Sequence, residues 1–263
     1  MRWMWEVAAR SYRRQSTYRA ATAAGVFTNT VFGFILAYVL LAVVRERPVI
    51  GGFDAVDVVT FTFVMQGMLM VIGIFGSLEI AERVRSGDVV SDLYRPVDFQ
   101  AFWLADAYGK STFYAIFRGI PPFLVGALVF HLRLPASASI WFEFFASVFL
   151  AIAVSFGWSF LLQLTSFWLL DVKGPHQLGW LVAQFFSGVF VPVVFFPAWL
   201  GAIAHATPFP AMAQLPVEIF LGKHRGLDLL GVYAQQVLWV AVVLGAGRIM
   251  LARAMRKVVV QGG

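Results

Sequence analysis

Six stretches of this chain combine length with unbroken apolarity, and they limit the possible folds more than any other feature. They cover about 23–44, 56–78, 109–131, 144–170, 178–204 and 229–252. Each reaches or exceeds the roughly 20 residues that a helix needs to cross about 30 Å of hydrocarbon. Barrel strands would alternate apolar and polar positions, and these runs do not. The expected fold is all-α and integral to the membrane: six transmembrane helices in a single transmembrane domain over residues 1–263. Composition agrees, since charged residues make up 13 % of the chain, about half the roughly 25 % of soluble domains. There is no cysteine, which excludes a disulfide framework and a thiolate metal site.

An even number of spans puts both termini on one side. Of the 20 Lys and Arg residues, only Arg45, Arg47, Arg133, Lys223 and Arg225 then fall on the other side. The remaining fifteen gather in residues 1–22, the loop after the second run, the short 171–177 loop and the C-terminal segment from Arg248 to Lys257. Lys110 and Arg118 belong to this majority side, at the start of the third run. That asymmetry obeys the positive-inside rule and predicts cytoplasmic termini, so the net charge of +6 reports membrane orientation rather than nucleic-acid binding. Membrane lipid is an expected partner; nucleic acid is not.

Two segments depart from a plain bundle. In residues 1–22, Trp3, Trp5, Tyr12 and Tyr18 are interleaved with Arg2, Arg10, Arg13, Arg14 and Arg19, which suits an amphipathic helix in the headgroup layer. They contain no apolar core of their own, so they do not read as a signal peptide; a solvated basic tail is the alternative. The fifth run is punctuated by Gly188, Pro192 and Pro197, then by Pro208, Pro210 and Pro216, yet stays apolar throughout. Broken backbone at membrane depth is tolerated only inside protein or around a cavity. The expectation is a helix ending near Pro192 or Pro197, followed by re-entrant external helices. A long proline-kinked span with a hydrophobic hairpin outside is the other reading.

The most polar stretch inside the apolar body is the loop 79–108. It runs Glu79-Ile80-Ala81-Glu82-Arg83-Val84-Arg85-Ser86-Gly87-Asp88 and continues through Asp92-Leu93-Tyr94-Arg95-Pro96-Val97-Asp98. Glu79 and Arg83 at i,i+4, and Glu82 and Arg85 at i,i+3, can pair on a short helix. Gly87 is a natural stop, and Arg95-Pro96 forces extended or turning backbone. Some 30 residues is far longer than a connection requires, and Ile80, Val84, Val89, Val90, Leu93 and Phe99 are too apolar for a disordered loop. A compact knob that docks a soluble partner is favoured over a solvated linker.

The run Ser86-Gly87-Asp88 with Leu93-Tyr94-Arg95-Pro96-Val97-Asp98 resembles the cytoplasmic loop of ABC-2 type permeases of bacterial exporters. Phe186-Ser187-Gly188, Pro192, Phe196-Pro197, Pro208-Phe209, Pro216 and Gly222 resemble the fifth helix and re-entrant helices of the same family. The resemblance implies a permease subunit in a bacterial plasma (inner) membrane, working with two P-loop ATPase subunits and a second permease chain, identical or related. It also implies that the loop after the second span is the coupling element, which carries that role here to Glu79, Glu82, Arg83, Arg85, Gly87, Asp88, Arg95 and Pro96. The second and fifth helices meet at the dimer interface in such proteins and line the path, so Phe63, Gln66, Met70, Phe186, Phe190 and Phe195 are candidates for the translocation path. Cargo would be lipophilic, and export follows by family analogy alone.

Other classes fare worse on the residues themselves. No G-x-x-x-x-G-K-[ST] run precedes Lys110, Lys173, Lys223 or Lys257, so ATP and Mg belong to another chain and no cofactor is expected here. The spans carry almost no titratable groups, which leaves little for ion-coupled transport; Arg118 is expected to snorkel rather than to form a buried ion pair. Ser187 lacks a nucleophile elbow, His131, His176, His205 and His224 lie near span ends, and H-E-x-x-H is absent, so the chain does not read as an enzyme. The surviving alternatives are an ATPase-free permease and a membrane scaffold or insertase that recruits a cytoplasmic partner.

Overall fold

The computed structural model describes residues 2–169 and 171–256, so Leu170, at the end of the fourth apolar run, and Lys257, in the basic C-terminal segment, lie outside the described residues. Among the described residues, four helices are long and apolar enough to cross a membrane: Arg19–Glu46, Phe99–Val129, Ala138–Phe167 and Leu227–Met255. They contain the first and sixth predicted runs and most of the third and fourth. The second and fifth runs do not form continuous helices of this length; of the six expected spans, the fifth expected to be broken, four are such helices.

In chain order, α1 is Arg2–Gln15, α2 is Arg19–Glu46 and α3 is Ala55–Met68. The knob holds α4, Glu79–Ser86, and α5, Val89–Leu93. The long third helix is α6, Phe99–Val129, with a π-helical turn at Ala115–Gly119. Next come α7, Ala138–Leu164, and α8, Lys173–Phe186. Short helices α9, Ala198–His205, α10, Phe209–Met212, and α11, Gln214–Phe220, precede the last long helix α12, Leu227–Met255. The only β pairing among the described residues is the bridge between Ile50 and Phe53. The loop after the second run is shorter than its expected span, because residues 99–108 are already part of α6.

The second run stops being helical at Met68 because the backbone unwinds into a strap, residues 69–78, with Gly73 and Gly76 at φ of 61° and 72°. Unwinding frees carbonyls that lipid cannot satisfy. Three helices supply the missing donors. Ser111 Oγ donates to Val71 O at 2.5 Å, Ser155 Oγ to Ile72 O, and Gln184 Nε2 to Ile74 O at 3.2 Å. Just above, Asn29 Nδ2 donates to Gln66 O at 3.2 Å, and His176 Nε2 lies 3.0 Å from Ser77 O. The strap is thus stitched to α6, α7 and α8, and α2 holds the last turn of α3 just before it.

The fifth run breaks earlier than either proline. Helix α8 ends at Phe186, where Ser187 Oγ turns back onto Gln184 O at 3.2 Å and Gly188 takes φ of 81°. The chain then folds back into the bundle, and every residue from 209 to 221 is buried. Gln214 holds this hairpin: its Oε1 accepts from Val193 N at 3.2 Å and its Nε2 donates to Glu218 Oε1 at 2.7 Å. Phe209, Met212, Leu215, Phe220 and their neighbours form the centre of the largest apolar cluster, with Phe61, Met65 and Phe144. The expectation that the broken backbone is housed in protein is met; the uninterrupted kinked span is not.

Helix α1 is no solvated tail. It lies along α6, with Tyr12 edge-on to Phe113 at 5.6 Å. Gly109 permits the approach, since a Cβ there would collide with the carbonyl of Ala8.

Candidate functional site

The knob emerges where the strap ends. Gly87 closes α4 in the left-handed conformation at φ of 82°, with its N–H returned to Val84 O, as its place in the sequence predicts. Below the knob, Ile80, Val89 and Phe99 pack with Trp103, Phe160, Leu164 and Leu251, which joins α4 and α5 to the ends of α6, α7 and α12. A load on the knob is therefore shared by three long helices.

Charges complete the attachment. Arg14 Nη1 donates to Glu79 Oε1 at 3.0 Å, and Lys110 Nζ donates to Glu79 Oε2 at 2.7 Å. The same two cations reach Asp106, at 3.4 and 2.7 Å. Burial works to raise the Glu79 carboxyl, but Lys110 and then Arg14 outweigh it and hold it below the ordinary carboxylate value. On the far flank, burial likewise opposes ionisation of Asp98, and its pairing with Arg248 and the N–H of Ala101 prevails. The N-terminus of α4 is met by a side chain from α7, with Ile80 N donating to Gln163 Oε1 at 2.9 Å.

The eight residues expected to couple therefore separate into two groups. Glu79 is an anchor, and so is Arg83, which is half-buried and donates from Nη2 to Asp92 Oδ1 at 3.0 Å. Arg95 joins the same carboxylate at 3.0 Å while remaining exposed. The expected helix-surface pair Glu79–Arg83 does not form, because each finds a more buried partner. Glu82, Arg85, Gly87, Asp88 and Pro96 are exposed, together with Ser86, Ser91 and Tyr94, the last 75 % exposed. The expected Glu82–Arg85 pair does not form either, and among the described residues both side chains face outward without an ion-pair partner. This tip offers acids, a base, hydroxyls and one large aromatic ring to a macromolecule.

Arg14, Asp92, Asp106, Lys110 and Gln163 belong to the site and escaped the sequence reading. Asp92 holds Arg83 from 9 positions away, Lys110 and Arg14 hold Glu79 from 31 and 65, and Gln163 holds Ile80 from 83, distances that helical spacing cannot reveal. The one signal was the presence of Lys, Asp and Gln in otherwise apolar runs. Beneath the knob lies a cavity of about 260 Å³, bordered by Met70, Ser77, Glu79, Lys110, Ser155 and Gln163.

The six path candidates are not brought to one wall. Phe63 is fully buried, edge-on to Phe34 at 5.4 Å and seated against Gly126. Phe186 packs on Phe209, and Phe195 stands edge-on to Phe53 at 6.3 Å. Met70 borders the cavity under the knob. Only Gln66 and Phe190 meet, across a narrow crevice with Leu36, Leu40 and Phe61. Gln66 Oε1 is buried there without a hydrogen-bond partner.

No curated protein matches this chain, and no solved structure does. A family model does, over residues 27–262, and its description is ABC-2 family transporter protein. That range holds the strap, the knob, the buried hairpin, three of the long helices whole and α2 from Phe27 onward. This multi-pass helical chain, with a braced knob between its second and third apolar runs, belongs to the ABC-2 family of transporter proteins, the membrane component of an ABC transporter.

Proposed function

We propose that this chain is the permease subunit of a bacterial exporter, and that the exposed tip at Glu82, Arg85, Ser86, Asp88 and Tyr94 receives a P-loop ATPase on the cytoplasmic face. The knob's construction supports this reading: a multiply anchored base beneath a polar tip on which Glu82, Arg85 and Asp88 have no ion-pair partner among the described residues, Asp88 accepting only from the Ser86 hydroxyl at 2.8 Å. Two ATPase subunits and a second permease chain, identical or related, complete the transporter, and ATP and Mg stay on the ATPases. Both termini lie on the knob side, in the cytoplasm of an inner membrane.

Closure of the ATPases pushes the tip. Because Glu79 and Ile80 tie the root of α4 to α1, α6 and α7, the push is delivered to those helices and to the strap, whose end is continuous with α4. The strap is the deformable part, held by single hydrogen bonds rather than by a helical ladder. Work reaches the path only if the two ATPase states contact the tip differently. The cargo is lipophilic, in keeping with a body almost free of buried charge at mid-depth.

The sequence contains no cysteine, so Ser86→Cys creates a unique thiol for cross-linking in native membranes. The expected product joins this chain to a P-loop ATPase, and Glu82→Arg abolishes ATP-dependent transport while leaving membrane insertion intact. If no ATPase is cross-linked or co-purified and transport persists, the scaffold or ATPase-free reading takes its place.

A further inference from the structure

A groove of about 520 Å³ opens beside the knob, between α1, α2 and α6, in the size range of roughly 300–1,000 Å³ typical of small-molecule sites. Its lining carries Arg14, Lys110 and Arg118 against Glu79 and Glu82. The first two cations are already shared between Glu79 and Asp106, and Glu82 is exposed at the rim. Arg118 is different. Its Nε is buried without a hydrogen-bond partner, and among the described residues no carboxylate pairs with it; the ring of Tyr114 lies 5.6 Å from the guanidinium.

The fold builds a place for this guanidinium. Pro121 and Pro122 cannot donate to the carbonyls one turn back, and the helix answers with the π-helical turn Ala115–Gly119, in which Ile120 N reaches back to Ala115 O. Such turns are frequent at functional sites. Opposite, Gly25 of α2 leaves the room that the guanidinium fills; a Cβ there would strike it. Arg118 is eight residues beyond Lys110, about 12 Å further along the helix at 1.5 Å per residue, and helical side chains lean toward the N-terminus, back toward the knob. Outside the groove, the same two helices carry exposed apolar side chains, Ile116, Phe117 and Ile120 on α6 and Phe27 on α2. A charged head in the groove would therefore have apolar surface beside it for a chain.

We propose that this groove binds the anionic phosphate headgroup of a membrane amphiphile from the leaflet on the knob side, with Arg118 as the recognising cation. An unpaired guanidinium in an apolar body is costly, and a phosphate supplies the missing charge and accepts from its free N–H groups. The inference does not depend on the coupling reading, since binding requires neither ATP nor a partner chain.

The test uses the purified chain in neutral detergent, with thermal unfolding followed by tryptophan fluorescence. The probes are dioctanoyl phosphatidylglycerol, dioctanoyl phosphatidylcholine and inorganic phosphate. Phosphatidylglycerol is expected to raise the unfolding midpoint in a saturable way, with the other two giving little. Arg118→Gln should weaken its apparent affinity about tenfold or more, a loss on the scale of one charge-assisted hydrogen-bonding group. Should that variant fold poorly, Ala21→Trp fills the groove while keeping Arg118 and should lose the response equally; Arg253→Gln, an exposed cation of α12 outside the groove, should retain it. A full response in both groove variants overturns the site. An equal response to phosphatidylcholine overturns recognition of net charge, and an equal response to inorganic phosphate overturns the amphiphile.

Discussion

The two ends of the bundle each hold an ionic cluster, and the clusters are built differently. At the knob end, Arg14, Glu79, Asp106 and Lys110 share four contacts across α1, α4 and α6, and Arg14 is 46 % exposed. At the opposite end one acid dominates. Asp57 is 1 % exposed, receives Arg133 Nη1 and Lys223 Nζ at 2.5 Å each, and forms a capping box with Asp54 at the start of α3. Lys223 also donates to Gly52 O at 2.7 Å and lies 4.9 Å from the ring of Phe53. Beside it, His224 stands between Glu218 at 2.9 Å and Asp228 at 2.5 Å. A desolvated hub fixes geometry, whereas a ring of half-exposed pairs can exchange partners at little cost. The opposite end clamps the bundle, and the knob end is where it can be moved.

The largest test of that contrast is Asp57→Asn. Removing one partner of a buried ionic pair costs about 3–5 kcal/mol, and the lower figure applies because Arg133 and Lys223 can turn to water. Glu79→Gln removes as many contacts but from a half-exposed ring, where Asp106 remains to pair with Arg14 and Lys110, and the expected loss is about 1 kcal/mol. Thermal unfolding in detergent should rank Asp57→Asn well below Glu79→Gln, while ATP-dependent transport should suffer from Glu79→Gln at normal expression. Equal midpoints for the two variants would dissolve the distinction between clamp and lever.

Gly109→Leu addresses the knob end by a different route. Its side chain has no room against Ala8, so α1 must lift or α6 must shift, at a cost of about 1–3 kcal/mol for overpacking. Displacing α1 removes Arg14 from Glu79 and Asp106. Proteolysis of the N-terminal segment should accelerate in the variant, and an unchanged rate would mean that α1 is not held through this contact.

The smallest effect concerns pH at the opposite end. Hydrogen bonding to Glu218 raises the pKa of His224 above its ordinary 6.5, burial works against it, and Asp228 adds to the rise. A raised pKa contributes stability that is complete below the unfolded value and is lost as pH rises through the folded one. The midpoint of the native chain minus that of His224→Gln should therefore shrink between about pH 6 and about pH 9. A difference that stays constant across this range would leave the imidazolium without a role in the clamp.

The helical class, the long runs and the knob's turn were legible because each depends on local rules: apolar length for the spans and Gly87 for the stop; the prolines announced a broken fifth run, though the break itself falls before them, at Ser187 and Gly188. The unwound strap was not. Residues 69–78 read as a continuation of the second apolar run, and Gly73 and Gly76 alone do not end a helix in an apolar setting. Their carbonyls become affordable only because Ser111, Ser155, Gln184 and His176 arrive from three other helices. In the same way Glu79 looked like the partner of Arg83 at i,i+4, and lost that role to Arg14 and Lys110, which approach it from 65 and 31 residues away.

What this chain's order of residues settled by itself was its solvent and its class: continuous apolar runs exclude water, and a backbone out of water must bond within its own segment or be served by protein. What only the tertiary structure decided was which runs stay helical, which charges are anchors and which remain on offer. Those outcomes rest on donors and carboxylates brought together from distant positions, and the free energy of such meetings is set by burial in the assembled bundle rather than by spacing along the chain.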